Sequence, residues 1–320
     1  VRGKYVPYVS VFIMLLFALS IVNQPAIDQY ITKLRERSVE AAKPKDKLYM
    51  EIEAKAKKYE IAPQNAVIDR VWKAIPGYNG LKVNINDSYQ NMKKDGTFDK
   101  SKLVYEQVPP KVHLDDLPPA AIYRGHPEKP MVTFLINVAW GNEYIPKMLE
   151  ILKKHNVKAT FFLEGRWVKN HPDMAKMIVD AGQEVGNHSY SHPDLKTMSN
   201  QAIREQLEKT NKVIEATTGV KCKWFAPPSG SYRDDVVKIA DDLNMKTIMW
   251  SVDTIDWQKP SPSVIVKRVM SKIHPGAMVL MHPTLSTAEA LEPLIVSIQQ
   301  KGYKIDNVST LLDEKRIVKK

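Results

Sequence analysis

From Met131 onward the chain alternates short apolar runs with amphipathic stretches. The runs "MVTFLINV" (131–138), "KATFFLEG" (158–165), "EVGNHS" (184–189), "KWFAPP" (223–228), "KTIMWS" (246–251), "AMVLMH" (277–282) and "YKIDNVS" (303–309) read as strands. Between them, stretches such as "YIPKMLEILKKHN" (144–156) and "NQAIREQLEKTNKVIEATTG" (200–219) repeat their apolar positions at three- and four-residue steps, the spacing of a helix with one buried face. Strand and helix alternating in this way predict an α/β fold with a parallel sheet. Near-continuously apolar strands suit a sheet covered on both faces. The expected architecture is therefore a distorted, incompletely closed TIM-like (β/α) barrel of about seven parallel strands, with an open doubly wound sheet as the alternative. No glycine-rich phosphate loop follows the first strand, which weighs against nucleotide binding.

The pattern upstream is different. Arg2 and Lys4 precede "YVPYVSVFIMLLFALSIV" (5–22), which is uncharged and apolar on all faces. That is the layout of a signal peptide or short membrane anchor. No clean small-x-small site ends the run, so an uncleaved anchor is expected over a cleaved signal, with the remaining chain outside the cytoplasm; cleavage would make the protein secreted. Residues 23–46 are polar and charged and read as a stalk. Residues 47–108 read as a small α/β appendage, with helical spacing over 47–75 broken at Pro63, a turn at 76–80, and strands at 81–86 and 102–108. The proline-rich stretch 109–130 reads as an extended surface linker, and 131–320 as the barrel.

Composition changes this picture little. An apolar fraction of 43% is ordinary for a chain with a real core. The net charge of +11 is not gathered into a lysine/arginine block with interleaved aromatics, so nucleic acid is not expected as a partner. A diffuse basic surface suits an anionic cell wall or membrane. The single cysteine, Cys222, permits no intrachain disulfide and reads as a buried thiol.

Candidate chemistry collects at the strand ends, where such a barrel places its site. "GNHSYSHPDL" (186–195) sets His188 and His192 four apart, a spacing that suits metal ligation, with loop hydrogen bonds as the competing explanation. Asn137 ends the first strand, "APPSGSY" follows the fourth, "DTIDW" follows the fifth, and His282 ends "AMVLMH".

In this order the motifs resemble those of the polysaccharide deacetylases, the NodB-homology domain or carbohydrate esterase family 4. The resemblance covers residues 131–312; "LINVAWGNEY" and the N-terminal segments further resemble the sporulation-associated branch of endospore formers. It implies a (β/α) barrel that removes acetyl groups from chitin-like polymers or peptidoglycan. In that scheme an aspartate and two histidines hold zinc or another divalent metal, a second aspartate is the base, an arginine orients it, and a histidine protonates the departing amine. Carried over, His188 and His192 are the metal histidines and His282 the general acid. Asp256 is then a candidate to tune His282, while Trp257 and Leu280 are candidates for the apolar wall facing the acetyl group.

The first motif of the family, "TFDDG", is not intact. The ungapped register puts Asn137 on the base and Val138 on the metal ligand; the register on the literal "TF" puts Leu135 and Ile136 there. Neither offers a carboxylate. Glu143 is the nearest downstream acid. In the third motif Ala226 takes the place of the arginine, and Ser229 that of an aromatic, although Ser229 retains a backbone N–H as a candidate oxyanion donor. The expectation is a membrane-anchored, catalytically inactive or very weak deacetylase-like protein. It would retain cell-wall glycan binding, and metal would be weakly held or absent. An active N-deacetylase is the alternative.

Overall fold

The computed structural model describes residues 46–318. The hydrophobic segment 5–22 and nearly all of the stalk lie outside the described residues. Among the described residues, no helix is long and apolar enough to cross a membrane. The described residues divide into two compact units, one formed by residues 46–57 together with Asn84–Val104, the other by Lys58–Val83 together with residues 105–318.

In the first unit, α1 (Lys47–Ala56) is capped by Asp46, whose carboxylate accepts from Tyr49 N at 2.8 Å. The second helix, α2 (Ile85–Met92), is capped by Asn84. Leu48, Ile52 and Ala56 of α1 are buried, as is Met92 of α2. The Tyr89 hydroxyl donates to Asp46 at 2.6 Å and its ring meets Tyr49 edge-on.

The second unit begins differently from the expected helix over 47–75. Past Ala56 and a single 3₁₀ turn, the chain forms an antiparallel hairpin, β1 (Val67–Asp69) with β2 (Lys73–Ile75). The physical reason is local: Val67, Ile68 and Val71 are β-branched, and Asp69 accepts from both Val71 N and Trp72 N at 2.7 Å, which fixes the turn. Next come β3 (Gly80–Asn84) and β4 (Val104–Val108), which pair with each other.

The barrel strands are β5 (Met131–Val138), β6 (Thr160–Leu163), β7 (Glu184–Asn187), β8 (Trp224–Phe225), β9 (Lys246–Thr247), β10 (Val252–Asp253) and β11 (Met278–Met281). They run parallel in the order β10-β11-β5-β6-β7-β8-β9, and a short β12 (Lys304–Ile305) joins the start of β5. Seven parallel strands were expected, but not this exact set. The run 246–251 contributes only Lys246–Thr247, and 303–309 only Lys304–Ile305 before the short helix Val308–Leu312. The strand at Val252–Asp253 was not foreseen.

All eight residues of β5 are buried. Their alternation separates two cores. Val132, Phe134, Ile136 and Val138 join a first, outer cluster with the helix residues Trp167, Leu207 and Leu291, whereas Met131 and Leu135 join a second, inner cluster with Phe162, Ala226, Ile248 and Met278. Cys222 is buried in the first cluster, and burial pushes its thiol up to about 12. Among the described helices, the longest, Asn200–Thr218, starts on the Ser199 side chain and stops at Gly219 with φ 74°.

The stretch 109–130 is more than a surface linker. Ile122 is fully buried in the second cluster and takes up both backbone bonds beside β9: Ile122 N donates to Thr247 O, and Met249 N donates to Ile122 O. Arg124 bridges to Ala277 just ahead of β11. This segment thus runs along the β9 edge of the sheet and on to the residue that leads into β11. Lys129 is buried as well, with Nζ donating to the carbonyls of Thr310 and Asp313, and burial lowers its pKa to about 8.

Candidate functional site

A cavity of about 420 Å³ opens at the C-terminal ends of the strands, lined by Asn137, Ala139, Trp140, His188, His192, Ser229, Trp250, Asp253, Trp257, Leu280 and His282. Larger hollows lie elsewhere: one of about 910 Å³ is lined in part by Lys221, Trp224 and Glu314, and another by residues such as Pro146 and Met177. Only the first brings the strand-end histidines together.

His188 follows β7 directly. The Asn187 side chain fixes the loop there: its Oδ1 accepts from Ser189 N at 2.8 Å, and its Nδ2 donates to Leu207 O and Asn211 Oδ1. Gln206 Oε1 accepts from Tyr190 N and Ser191 N, and Ser189 Oγ accepts from His192 N. The two histidines therefore sit on a tight loop rather than a helix, rings edge-on with centroids 5.1 Å apart. His188 Nδ1–H donates to the Ala226 carbonyl at 2.8 Å, leaving Nε2 as the free acceptor. Burial, with the neighbouring His192, lowers the His188 pKa to about 3, and burial lowers that of His192 too.

His282 follows β11. Asp256, fully buried, accepts from His282 N at 2.6 Å, from His282 Nδ1 at 2.8 Å and from Thr287 Oγ1 at 2.7 Å. Burial alone would raise the Asp256 pKa; the hydrogen bonds and the His282 charge outweigh it and hold the pKa below the usual carboxylate value. Thr287 is positioned by the N-terminus of the helix Leu285–Gln300, capped through Thr284 Oγ1. Trp140, 47% exposed, lies nearly parallel to the His282 ring.

Four of the residues with left-handed backbone conformation, Ser189, His192, Ser229 and Ile255, belong to these loops. For the β-branched Ile255 that conformation is costly, and strain of this kind collects where a site holds side chains in a set geometry.

Of the residues singled out in the sequence, the cavity brings together Asn137, His188, His192, Ser229, Trp257, Leu280 and His282. Asp256 stands behind His282. Val138 does not line the cavity; it is fully buried in the outer apolar cluster and pairs with Leu163. Ala226 lies in the inner cluster and reaches the site only through its carbonyl. Glu143 is exposed and off the cavity wall. Ala139, Trp140, Trp250 and Asp253 were missed. A tryptophan one or two residues beyond a strand end was the available signal for Trp140.

The donor set does not match a catalytic zinc site, which takes three protein ligands and keeps one position open. Three imidazoles line the cavity, one of them, His282, bonded through Nδ1 to Asp256, and among the described residues no group of three His, Cys, Asp or Glu side chains is placed to hold a metal. Asn137, where a carboxylate would stand, carries a buried Oδ1 without a hydrogen-bond partner.

Comparison with known proteins places this geometry. The polysaccharide deacetylase family model matches residues 124–248. The chain is 57% identical over 317 residues to the uncharacterized protein YlxY of Bacillus subtilis, covering 99% of each. It is 32% identical over 202 residues to the peptidoglycan-N-acetylmuramic acid deacetylase PdaA of B. subtilis, covering 62% of this chain and 77% of that protein. Among solved structures, BA3943 of Bacillus anthracis, described as a CE4 family pseudoenzyme, superposes with a TM-score of 0.82 at 65% identity, covering 85% of this chain and 97% of that one. A BA3943 mutant described as having restored enzymatic activity superposes equally well, at 64% identity, covering 85% of this chain and all of that one. The chain belongs to the polysaccharide deacetylase family, carbohydrate esterase family 4.

Proposed function

We propose that this protein is a non-hydrolysing member of its family that binds cell-wall glycan, peptidoglycan or a related N-acetylglucosamine polymer, through the strand-end cavity. One observation carries the reading: the wall position at the end of β5 is Asn137 rather than a carboxylate, and the carboxylate that does line the cavity, Asp253, ends β10 and accepts from Ile255 N. Asn cannot accept a proton at neutral pH, and losing a general base typically costs about 10²–10⁴ in rate. The apolar and aromatic wall, by contrast, is largely kept, with Trp140, Trp250, Trp257 and Leu280 in place and Ser229 where the family has an aromatic. Cavities of ~300–1,000 Å³ with such walls are typical ligand sites.

The related BA3943 supports this reading: it is described as a pseudoenzyme, and a mutant of it as restored. The segment 5–22 completes the proposal, holding the protein at the membrane with the barrel on the outer side, where peptidoglycan lies.

The test is acetate release by the full chain from N-acetylglucosamine oligomers and peptidoglycan under saturating zinc or cobalt, alongside glycan pull-down. Pull-down without acetate release above a His188→Ala control is the expected result. Release above that control would establish an active deacetylase instead.

A further inference from the structure

Exposed apolar side chains scattered singly need no explanation, but three gathered on one short element do. In the β1–β2 hairpin Val67, Ile68 and Val71 are 48, 47 and 68% exposed. Val67 and Ile68 are neighbours in β1, so they point to opposite faces, and both faces are open. The hairpin is nevertheless held firmly. Asp69 accepts from Val71 N and Trp72 N, and Lys73 takes the left-handed backbone conformation with φ 58°. The Arg124 guanidinium lies over the Trp72 ring, 5.4 Å from its centroid, and the His274 ring packs beside it at 6.1 Å. Ala74 N donates to Ala121 O. A pinned scaffold thus holds aliphatic side chains out in solvent.

The charges beside them define what meets them. Arg70 and Lys73 are exposed, and the one acid between Val67 and Ile75, Asp69, is engaged by the two turn N–H groups. Aliphatic side chains flanked by cations suit a surface that is anionic outside and apolar beneath, which is the headgroup layer of a bilayer. On the reading that segment 5–22 holds the chain at a membrane, such a surface is always near. Even fully extended, residues 23–45 part that segment from Asp46 by no more than about 80 Å. At the resulting effective concentration a small contact area suffices for docking.

Resting on that membrane reading, we propose that the β1–β2 hairpin is a second membrane contact: Val67, Ile68 and Val71 enter the headgroup boundary of an anionic bilayer, and Arg70 and Lys73 pair with its phosphates. A tether limits only distance, whereas a second contact also limits orientation.

The test uses the full chain in vesicles of phosphatidylcholine and phosphatidylglycerol, with nitrobenzoxadiazole on Val71→Cys or, as a control, on the exposed Met177→Cys. Cys222 is buried with its thiol pushed up to about 12, so the label goes to the introduced cysteine. Nitroxide lipid is expected to quench the label at 71 at least about twofold more than the label at 177. Val67→Ser with Ile68→Ser, or Arg70→Glu with Lys73→Glu, should remove that difference, and vesicles of phosphatidylcholine alone should reduce it. Equal quenching at the two positions in a chain that floats with the vesicles overturns the proposal and leaves the membrane reading standing. An emission shift at 71 that follows protein concentration and ignores nitroxide lipid would seat a second copy on the hairpin and also overturn it. A chain that does not float with the vesicles sinks the membrane reading and the proposal together.

Discussion

Gly141 passes so close to Pro283 that a side-chain carbon on it would overlap the Pro283 carbonyl oxygen. Its φ of 82° already lies in the left-handed region. This contact brings the loop after β5 against the loop after β11, the two that carry Trp140 and His282. Gly141→Ala should therefore destabilise the fold by about 2–4 kcal/mol. The check is a thermal melt, which should drop by roughly 5–10 °C. A melt within 1 or 2 °C of the parent would mean that the two loops are not so tightly coupled.

Asp256 holds its place by accepting from three donors. Asp256→Asn keeps the shape but turns an N–H₂ toward at least one of them, and it removes the charge that fixes His282. A loss of about 2–4 kcal/mol is expected in denaturant unfolding. Nitrogen chemical shifts should also show His282 leaving its single tautomer. An unchanged tautomer in the variant would show that Trp140 and the backbone suffice to orient the ring.

The pH dependence should be steep on the acid side. His126 is buried, stacks on Tyr78, donates through Nε2 to Gln64 and accepts Glu128 N–H at Nδ1. Burial lowers its pKa to about 4, and that of His188 to about 3. Between those values and 6.5 the unfolded chain binds protons that the native chain refuses. Stability is therefore full above about pH 6.5 and falls as pH drops toward 4, by up to about 1.4 kcal/mol per pH unit for each group. His126→Gln should flatten part of that slope in urea melts taken from pH 7 to 4. An identical slope would remove His126 from the account.

Reinstating the family residues should recover chemistry. The variant Asn137→Asp, Val138→Asp, Ala226→Arg is expected to release acetate above the parent in zinc. It should also be less stable than the parent without metal, because Val138 is packed among apolar side chains and an aspartate there must turn toward the cavity or be buried unpaired. Added zinc should then raise its melting temperature more than that of the parent. A folded triple variant with neither effect would show that other positions set the defect.

The repeating strand and helix pattern made the parallel barrel legible, since apolar runs such as 131–138 and 277–282 are long enough to carry a period. Short segments were not. Val252–Asp253 has two residues of strand and no periodicity, and the 67–75 hairpin depends on an aspartate-bonded turn that helical spacing conceals. At the site, the histidines were legible because their motifs are ordered along the chain. The burial of Val138 away from the cavity was not, because a one-residue step along a strand reverses the side chain. Trp140 escaped notice because its value comes from the His282 ring beside it, which lies 142 positions later in the chain.

The backbone of Ile122 completes the pairing beside β9 and its side chain fills the inner core, so the barrel does not begin where its first strand does. A fragment cut at Met131 would keep every residue with a proposed part in chemistry and still expose the Thr247 carbonyl, the Met249 N–H and an apolar slot to solvent. Such a fragment should aggregate through that open edge. The hereditary unit, in the sense of what must be inherited together to fold, includes the proline-rich segment 109–130, within which the match to the deacetylase family begins. Fusion or shuffling of this domain should therefore tolerate junctions ahead of Lys58, where the second compact unit begins, and fail at junctions within the proline-rich segment.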